Sequence, residues 1–183
     1  DWGDGFFAEA GFSILRSGLD ANASYFHMQH EREDMRVMGG AHEHADNLSF
    51  LLAAHGTELA IDPGYLDFTN HKKVKYGTDH NIVLVDGLGP EFFLDDQLVE
   101  IAPNSDAYLH DHATAPPFTT FIASTKYRDA ELRRRVVRVT TPGQDVFIVA
   151  DDLVNLGAAP TRKWTFQLNG LASEEIGGTS FAT

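Results

Sequence analysis

The sequence predicts an all-β, antiparallel fold, a sandwich or a barrel, on three observations. Short apolar or alternating runs recur along the chain, Gly- and Pro-bearing turn signals separate them, and no stretch sustains a 3.6-residue periodicity. The 183 residues are enough for one domain with a real core. No internal repeat or linker divides them.

Taken in order, Phe12-Ser13-Ile14-Leu15-Arg16-Ser17 reads as a first strand and Ala23 to His30 as a second, with Leu19-Asp20-Ala21-Asn22 turning between them. In the second, Tyr25, His27 and Gln29 alternate with Phe26, Met28 and His30. Glu31 to Arg36 is a charged loop, and Met38-Gly39-Gly40 leads into Gly40-Ala41-His42-Glu43-His44-Ala45-Asp46-Asn47. If that stretch is extended, period-2 geometry points His42, His44 and Asp46 to one face. The apolar run Leu48 to Ala54 anchors it, and residues 47–54 and 57–61 read as a hairpin around His55-Gly56.

Ile61-Asp62-Pro63-Gly64-Tyr65 ends a short strand in an acid and a Pro-Gly turn, and 66–79 is a loop containing Tyr76. Asp79-His80-Asn81 then opens a buried-type strand to Val85, closed by Asp86-Gly87. Gly89-Pro90 and Asp95-Asp96 mark an irregular stretch. Strands are expected at 105–112, 118–127, 131–140, 145–151 and 161–168, and the small, polar tail after Asn169 as frayed or continuing.

His44, Asp62 and His80 each fall at or near a strand end, where antiparallel neighbours can bring them together. Two imidazoles and a carboxylate suit zinc, with a fourth position left open. Asp46 is the ambiguous acid: it could replace Asp62 as ligand, orient a histidine, or cap a turn, and the orienting or structural role is the expectation. His27, His30, His55, His71, His110 and His112 read as solvated surface residues, and Arg133-Arg134-Arg135 with Arg138 as a solvated strand face.

Composition removes several classes. A net charge of −13 argues against non-specific nucleic-acid binding and docking on anionic lipid. No apolar run approaches the roughly 20 residues of a membrane helix. The absence of cysteine rules out disulfides and thiolate zinc sites. Asp1-Trp2-Gly3-Asp4-Gly5 carries neither a signal-peptide pattern nor an initiator Met, as expected of a processed or excised piece.

Three motifs in order, Gly-Ala-His-Glu-His-Ala-Asp (40–46), Ile-Asp-Pro-Gly-Tyr (61–65) and Asp-His-Asn-Ile-Val-Leu-Val-Asp-Gly (79–87), resemble the heparinase II/III-like polysaccharide lyases, a group that includes heparin/heparan and alginate lyases. Residues 9–17, 133–140 and 146–152 fit the same pattern. The resemblance implies that 1–183 is a single β-sandwich domain, an excised part of a larger lyase whose N-terminal α/α toroid packs against it across the substrate cleft. It implies zinc ligands His44, Asp62 and His80, a catalytic His42, and Tyr65 facing the cleft. The partners implied are an acidic poly- or oligosaccharide and the toroid, which supplies the main catalytic tyrosine and the group engaging the uronate carboxylate. The isolated chain is then expected to be inactive, and the parent periplasmic or secreted.

Two other functions fit parts of the pattern. A cupin-like metalloenzyme shares the His-x-His strand and a distant third histidine, but needs a carboxylate a few residues after the second; Asp46 is closer than that and Glu58 too far. A non-catalytic carbohydrate-binding module could use the metal only to clip strands together.

Overall fold

A computed structural model of the chain describes residues 3–32, 44–67, 69–70, 73–94, 98–101, 105–155, 162–164, 174–176 and 179–181. Among them there is no α-helix, and two antiparallel sheets dominate. The first runs in spatial order through β1 (Gly5–Phe7), β2 (Phe12–Arg16), β3 (Tyr25–Gln29), β4 (Phe50–Ala54) and β5 (Thr57–Ala60).

Three two-stranded sheets follow. The first is a short pair, β6 (Val83–Val85) with the later β13 (Arg162–Trp164), and the second is β7 (Glu91–Leu94) with β8 (Leu98–Ile101). The third, β14 (Glu174–Ile176) with β15 (Thr179–Phe181), lies in the tail. The second main sheet is ordered β12 (Gln144–Asn155), β11 (Ala130–Thr141), β10 (Phe118–Tyr127) and β9 (Ala107–Ala115).

Alternation explains why the sheets stack. In β2 and β3, Ser13, Leu15, Phe26 and Met28 are buried while their neighbours face outward, as a strand's period of two requires. On the facing sheet Phe121, Ala123, Leu132 and Val136 do the same. The layers meet through rings: Phe26 lies 6.3 Å from Phe121 and 5.6 Å from Phe147, and Phe6 lies 5.9 Å from Phe121. Each fully buried Leu, Phe or Met contributes roughly 1.5–3 kcal/mol, so this interlayer cluster is the main source of stability. The all-β sandwich expected from the sequence is therefore the observed architecture, with the hairpin at His55-Gly56 in place.

Several local expectations change. The segment carrying His44 and Asp46 is irregular, and β4 begins only at Phe50, because Leu48 sits at φ +70° and breaks the extended path. His42 lies outside the described residues. Asp95-Asp96 lies outside the described residues, between β7 and β8, and β1 precedes the expected first strand. His30 is not solvated: its Nε2 sits 2.9 Å from the buried Ser13 hydroxyl.

The largest correction is Arg134. Leu132, Arg134 and Val136 share the inward face of β11, so this arginine is fully buried among apolar neighbours. It pairs with Asp151 directly across on β12 through two 2.7 Å hydrogen bonds, Nε to Oδ1 and Nη2 to Oδ2. Its Nη1 donates to the carbonyls of Leu48 at 2.5 Å and Asn81 at 2.6 Å, and the guanidinium lies 5.4 Å from the Phe50 ring centroid. Only a fork of fixed N–H donors can satisfy a carboxylate and two carbonyls from one side chain.

Two predictions follow from these buried polar groups. Arg134→Met strands a buried carboxylate and two carbonyls, and should cost about 3–5 kcal/mol in urea unfolding. Adding Asp151→Leu should recover part of that loss, and an Arg134→Met variant within 1 kcal/mol of the wild type would refute the clamp (about the noise of a surface substitution). Burial pushes the His30 imidazole down from 6.5 to about 4, so the folded protein keeps it neutral where the unfolded chain protonates. Its stabilisation is complete above pH 6.5 and is lost as pH falls toward 4, on the order of 3 kcal/mol in total. Denaturation midpoints measured across that interval should fall more steeply in the wild type than in His30→Leu.

Candidate metal centre

Three irregular segments build the site at one end of the five-stranded sheet. In the first, Ala45 is fully buried and its N–H donates to the Lys75 carbonyl at 3.1 Å, so His44 and Asp46 turn away from the core. The Asn47 side chain then staples the segment down. Its Nδ2 donates to the carbonyls of Glu31 (3.1 Å) and Ser105 (3.0 Å), and its Oδ1 accepts from the Glu31 N–H at 2.9 Å. Leu48 takes the left-handed conformation, which costs a non-glycine residue roughly 1–2 kcal/mol and persists where surroundings over-determine it. Here its N–H donates to the Gln29 carbonyl at 2.9 Å, and its own carbonyl is held by Arg134.

The second and third segments are tied to the first by Asn81. Its Nδ2 donates to the carbonyls of Phe50 and Ile61, both at 2.8 Å, and its N–H donates to the Ser49 hydroxyl at 3.0 Å. Asp62 accepts the Gly64 N–H on Oδ1 at 3.0 Å, closing the Pro-Gly turn, and the Ser49 hydroxyl on Oδ2 at 3.2 Å. A 3-10 turn, Gly77–Asp79, delivers His80; Gly77 packs so closely on Gly89 that a Cβ there would lie 2.7 Å from its Cα.

In the resulting geometry His44, Asp46 and His80 each offer a ligand-type atom, all within 4.8 Å of one another. The two imidazole rings are 5.5 Å apart between centroids. His80 is fully buried, with Nδ1 2.7 Å from Asp62 Oδ2. Its Nε2 is buried and has no hydrogen-bond partner among the described residues. Leaving such an atom unsatisfied costs about 1–3 kcal/mol, which a cation on Nε2 would relieve. A carboxylate on one ring nitrogen with the other nitrogen left over is how metal-bound histidines are commonly oriented. The residues present therefore fit a divalent cation.

Charge points the same way. Burial by itself drives His80 toward its neutral form, but the hydrogen bond to Asp62 and the charges of Asp46, Asp62 and Asp79 outweigh it and hold its pKa above the ordinary histidine value. Burial likewise pulls the Asp62 carboxyl up, yet the His80 bond and charge, the Gly64 N–H and the Ser49 hydroxyl leave it below the ordinary aspartate value. The pocket favours positive charge at its centre, whether carried by a proton or a metal.

Of the residues expected from sequence, His44 and His80 come together, Asp62 meets His80, and the Tyr65 ring lies 6.3 Å from that of His44, with the residue 45% exposed. Asp46, expected to orient or cap, offers an atom within the cluster itself. Two β3 side chains went unassigned. Gln29 Nε2 donates to Asp46 Oδ1 at 3.3 Å, and His27 shares a small niche with Gln29, Asp46 and Asp62. The alternation of Tyr25, His27 and Gln29 against Phe26 and Met28 was the available signal.

None of the curated protein sequences matches this chain. Among solved structures, two of the heparinase III-BT4657 gene product, one with methylated lysines, superpose with a TM-score of 0.73 at 16% identity. They cover 96% of this chain, which spans 25% of one of them and 26% of the other. A structure titled heparinase III matches with a TM-score of 0.61 at 15% identity, over 83% of this chain and 22% of its own. The fold is thus shared with about a quarter of much longer proteins. Residues 2–178, nearly the whole chain, match the family described as heparinase II/III-like, C-terminal, and the chain belongs to that family.

Proposed function

We propose that this chain is the β-sandwich domain of a polysaccharide lyase that cleaves uronate-containing acidic polysaccharides, heparin/heparan-like or alginate-like, by β-elimination. Membership of the heparinase II/III-like C-terminal family, together with the His44/Asp46/His80 cluster and the buried, unpartnered Nε2 of His80, carries the reading. The ion is zinc, a metal suited to two imidazoles and a carboxylate. His44 and His80 are two of its ligands. The motif assigns the carboxylate to Asp62, which lies 2.7 Å from Nδ1 of His80, while Asp46 offers a carboxylate oxygen within 4.8 Å of a ring nitrogen of each imidazole. A cation held by these residues would tie the His44 and His80 segments together and supply positive charge there.

The chemistry requires three actions. The uronate carboxylate must be neutralised so that the adjacent C5 proton becomes acidic, a base must take that proton, and an acid must protonate the leaving O4. Stabilising the developing charge is usually the largest contribution. An imidazole such as His42 titrates near neutrality and can act as base, acid or carboxylate partner. Tyr65, exposed beside His44, is placed to reach a substrate and can share these proton transfers. Elimination consumes no water, so the metal's part is organising rather than water activation. The remaining catalytic groups come from an N-terminal α/α toroid in the full-length protein. That protein acts outside the cytoplasm, in the periplasm or secreted, where such polymers occur.

Two measurements test this. Purified wild-type chain should carry about one zinc, and His44→Ala and His80→Ala should lose it. Of Asp46→Asn and Asp62→Asn, the ligand variant should lose the metal outright and the other bind it about 10–100-fold more weakly. Zinc retained by both histidine variants would remove the metal from the proposal. In the full-length parent incubated with acidic polysaccharides, unsaturated uronate products should accumulate, and His42→Ala should lower the rate by about 10²–10⁴-fold. Undiminished product formation in that variant would exclude His42 from the proton transfers.

A further inference from the structure

The five-stranded sheet has a second face, turned away from the core, and its composition is unusual for a solvated surface. The registers place Phe7 opposite Phe12, Phe12 opposite Gln29, Ile14 opposite His27 and Arg16 opposite Tyr25. Directly opposed residues of an antiparallel pair share a face, so these side chains lie together, opposite to Leu15, Phe26 and Met28. Their rings form a connected row: Phe7 to Phe12 at 4.9 Å, Phe12 to His27 at 5.6 Å, and His27 to Tyr25 at 6.5 Å, the last pair only 8° from parallel.

The row passes beside the candidate metal centre. His27 lines a niche of about 90 Å³ with Gln29, Asp46, Ser49, Leu51 and Asp62. At the Tyr25 side Arg16, whose Nε donates to the Gly3 carbonyl at 3.1 Å, places its positive charge near the phenol. None of these side chains contributes to the interlayer core, and Phe7 is 46% exposed on the edge strand β1.

We propose that Phe7, Phe12, His27 and Tyr25 form a stacking platform that holds pyranose rings of an acidic glycan beside the His44/Asp46/His80 cluster. The proposal rests on the acidic-glycan reading above and adds to it a binding surface. A pyranose presents C–H groups on one face and hydroxyls at its edge. Aromatic faces take the former through their negative π surface, and polar groups flanking a ring row take the latter. Here the flanking groups are Arg16 and the Gln29 amide. Arg16 supplies the positive charge that a carboxylate- or sulfate-bearing sugar needs. The niche opens beside His27, so a glycan laid along the rings passes next to the candidate metal centre.

The test uses heparan sulfate and alginate hexasaccharides with the 183-residue chain, read by titration calorimetry. Phe7→Ala and Tyr25→Leu should each weaken binding by about 3–10-fold, whereas Tyr25→Phe, which keeps the ring, should stay within about twofold. Unchanged thermal melting checks that the variants fold. In the full-length parent, the same substitutions should raise KM for long substrates and leave kcat unaltered. Hexasaccharide binding unaffected by both ring removals would overturn the platform, as would no binding by a wild-type chain whose parent still cleaves the polymer; either result leaves the lyase reading standing. A parent that releases no unsaturated product from any acidic polymer would instead defeat the lyase reading itself. Ring variants that destabilise the parent but bind hexasaccharide normally would assign the row to a domain contact and overturn the proposal.

Discussion

One buried ion pair holds the site in place. Arg134 stands on the inward face of β11 with Asp151 as its partner, and the same guanidinium reaches the carbonyls of Leu48 and Asn81. Leu48 lies two residues after Asp46, and Asn81 directly follows His80. The four-stranded sheet thus fixes two of the three segments that carry the cluster through a single side chain. Taking a charge out of water costs several kcal/mol per ion, and such a pair is a weak source of net stability against an apolar alternative. What it does provide is definition: two carbonyls that no strand ladder reaches acquire donors, and the loops bearing them have one position relative to the sheet.

Around that clamp the polar groups are linked in sequence. Asn81 bonds the backbone of β4 and of the Ile61 segment, Ser49 connects Asn81 to Asp62, and Asp62 meets His80. Each link in the chain is a hydrogen bond between segments distant in sequence, so the acids and imidazoles are positioned by tertiary contacts on irregular backbone. Irregular backbone allows a left-handed Leu48 and the turn at Gly77–Asp79, which aim His44 and His80 at a common point that no straight strand could serve. The cost is paid by rigid neighbours, the two sheets.

The two faces of the five-stranded sheet divide the labour between folding and binding. Leu15, Phe26 and Met28 join the interlayer cluster, while the rings on the opposite face lie in a row that passes the niche at His27. A one-residue slip in the register of β2 against β3 would exchange these faces. Core packing therefore fixes which aromatic residues face outward, and any surface they form inherits its precision from the core behind it.

By itself the sequence determined the class of fold and most of its strands, because period-2 alternation and Gly/Pro turns are local signals. Residues 118–127 and the hairpin at His55-Gly56 are legible for that reason. It also marked His44, Asp62 and His80 through motifs with a family behind them. The sequence alone did not decide the backbone of the His44–Asp46 segment, the order of the two aspartates around His80, or the burial of Arg134 and His30. Those outcomes depend on partners far away in the chain, such as Asp151 for Arg134 and Ser13 for His30. Arg134 was readable in principle, since it alternates with Leu132 and Val136, but a charge on an apolar face becomes credible only once its counter-charge is seen across the sheet. Tertiary structure decided these points because the free energy of a buried polar group is set by the groups that meet it, and local sequence does not specify which ones do.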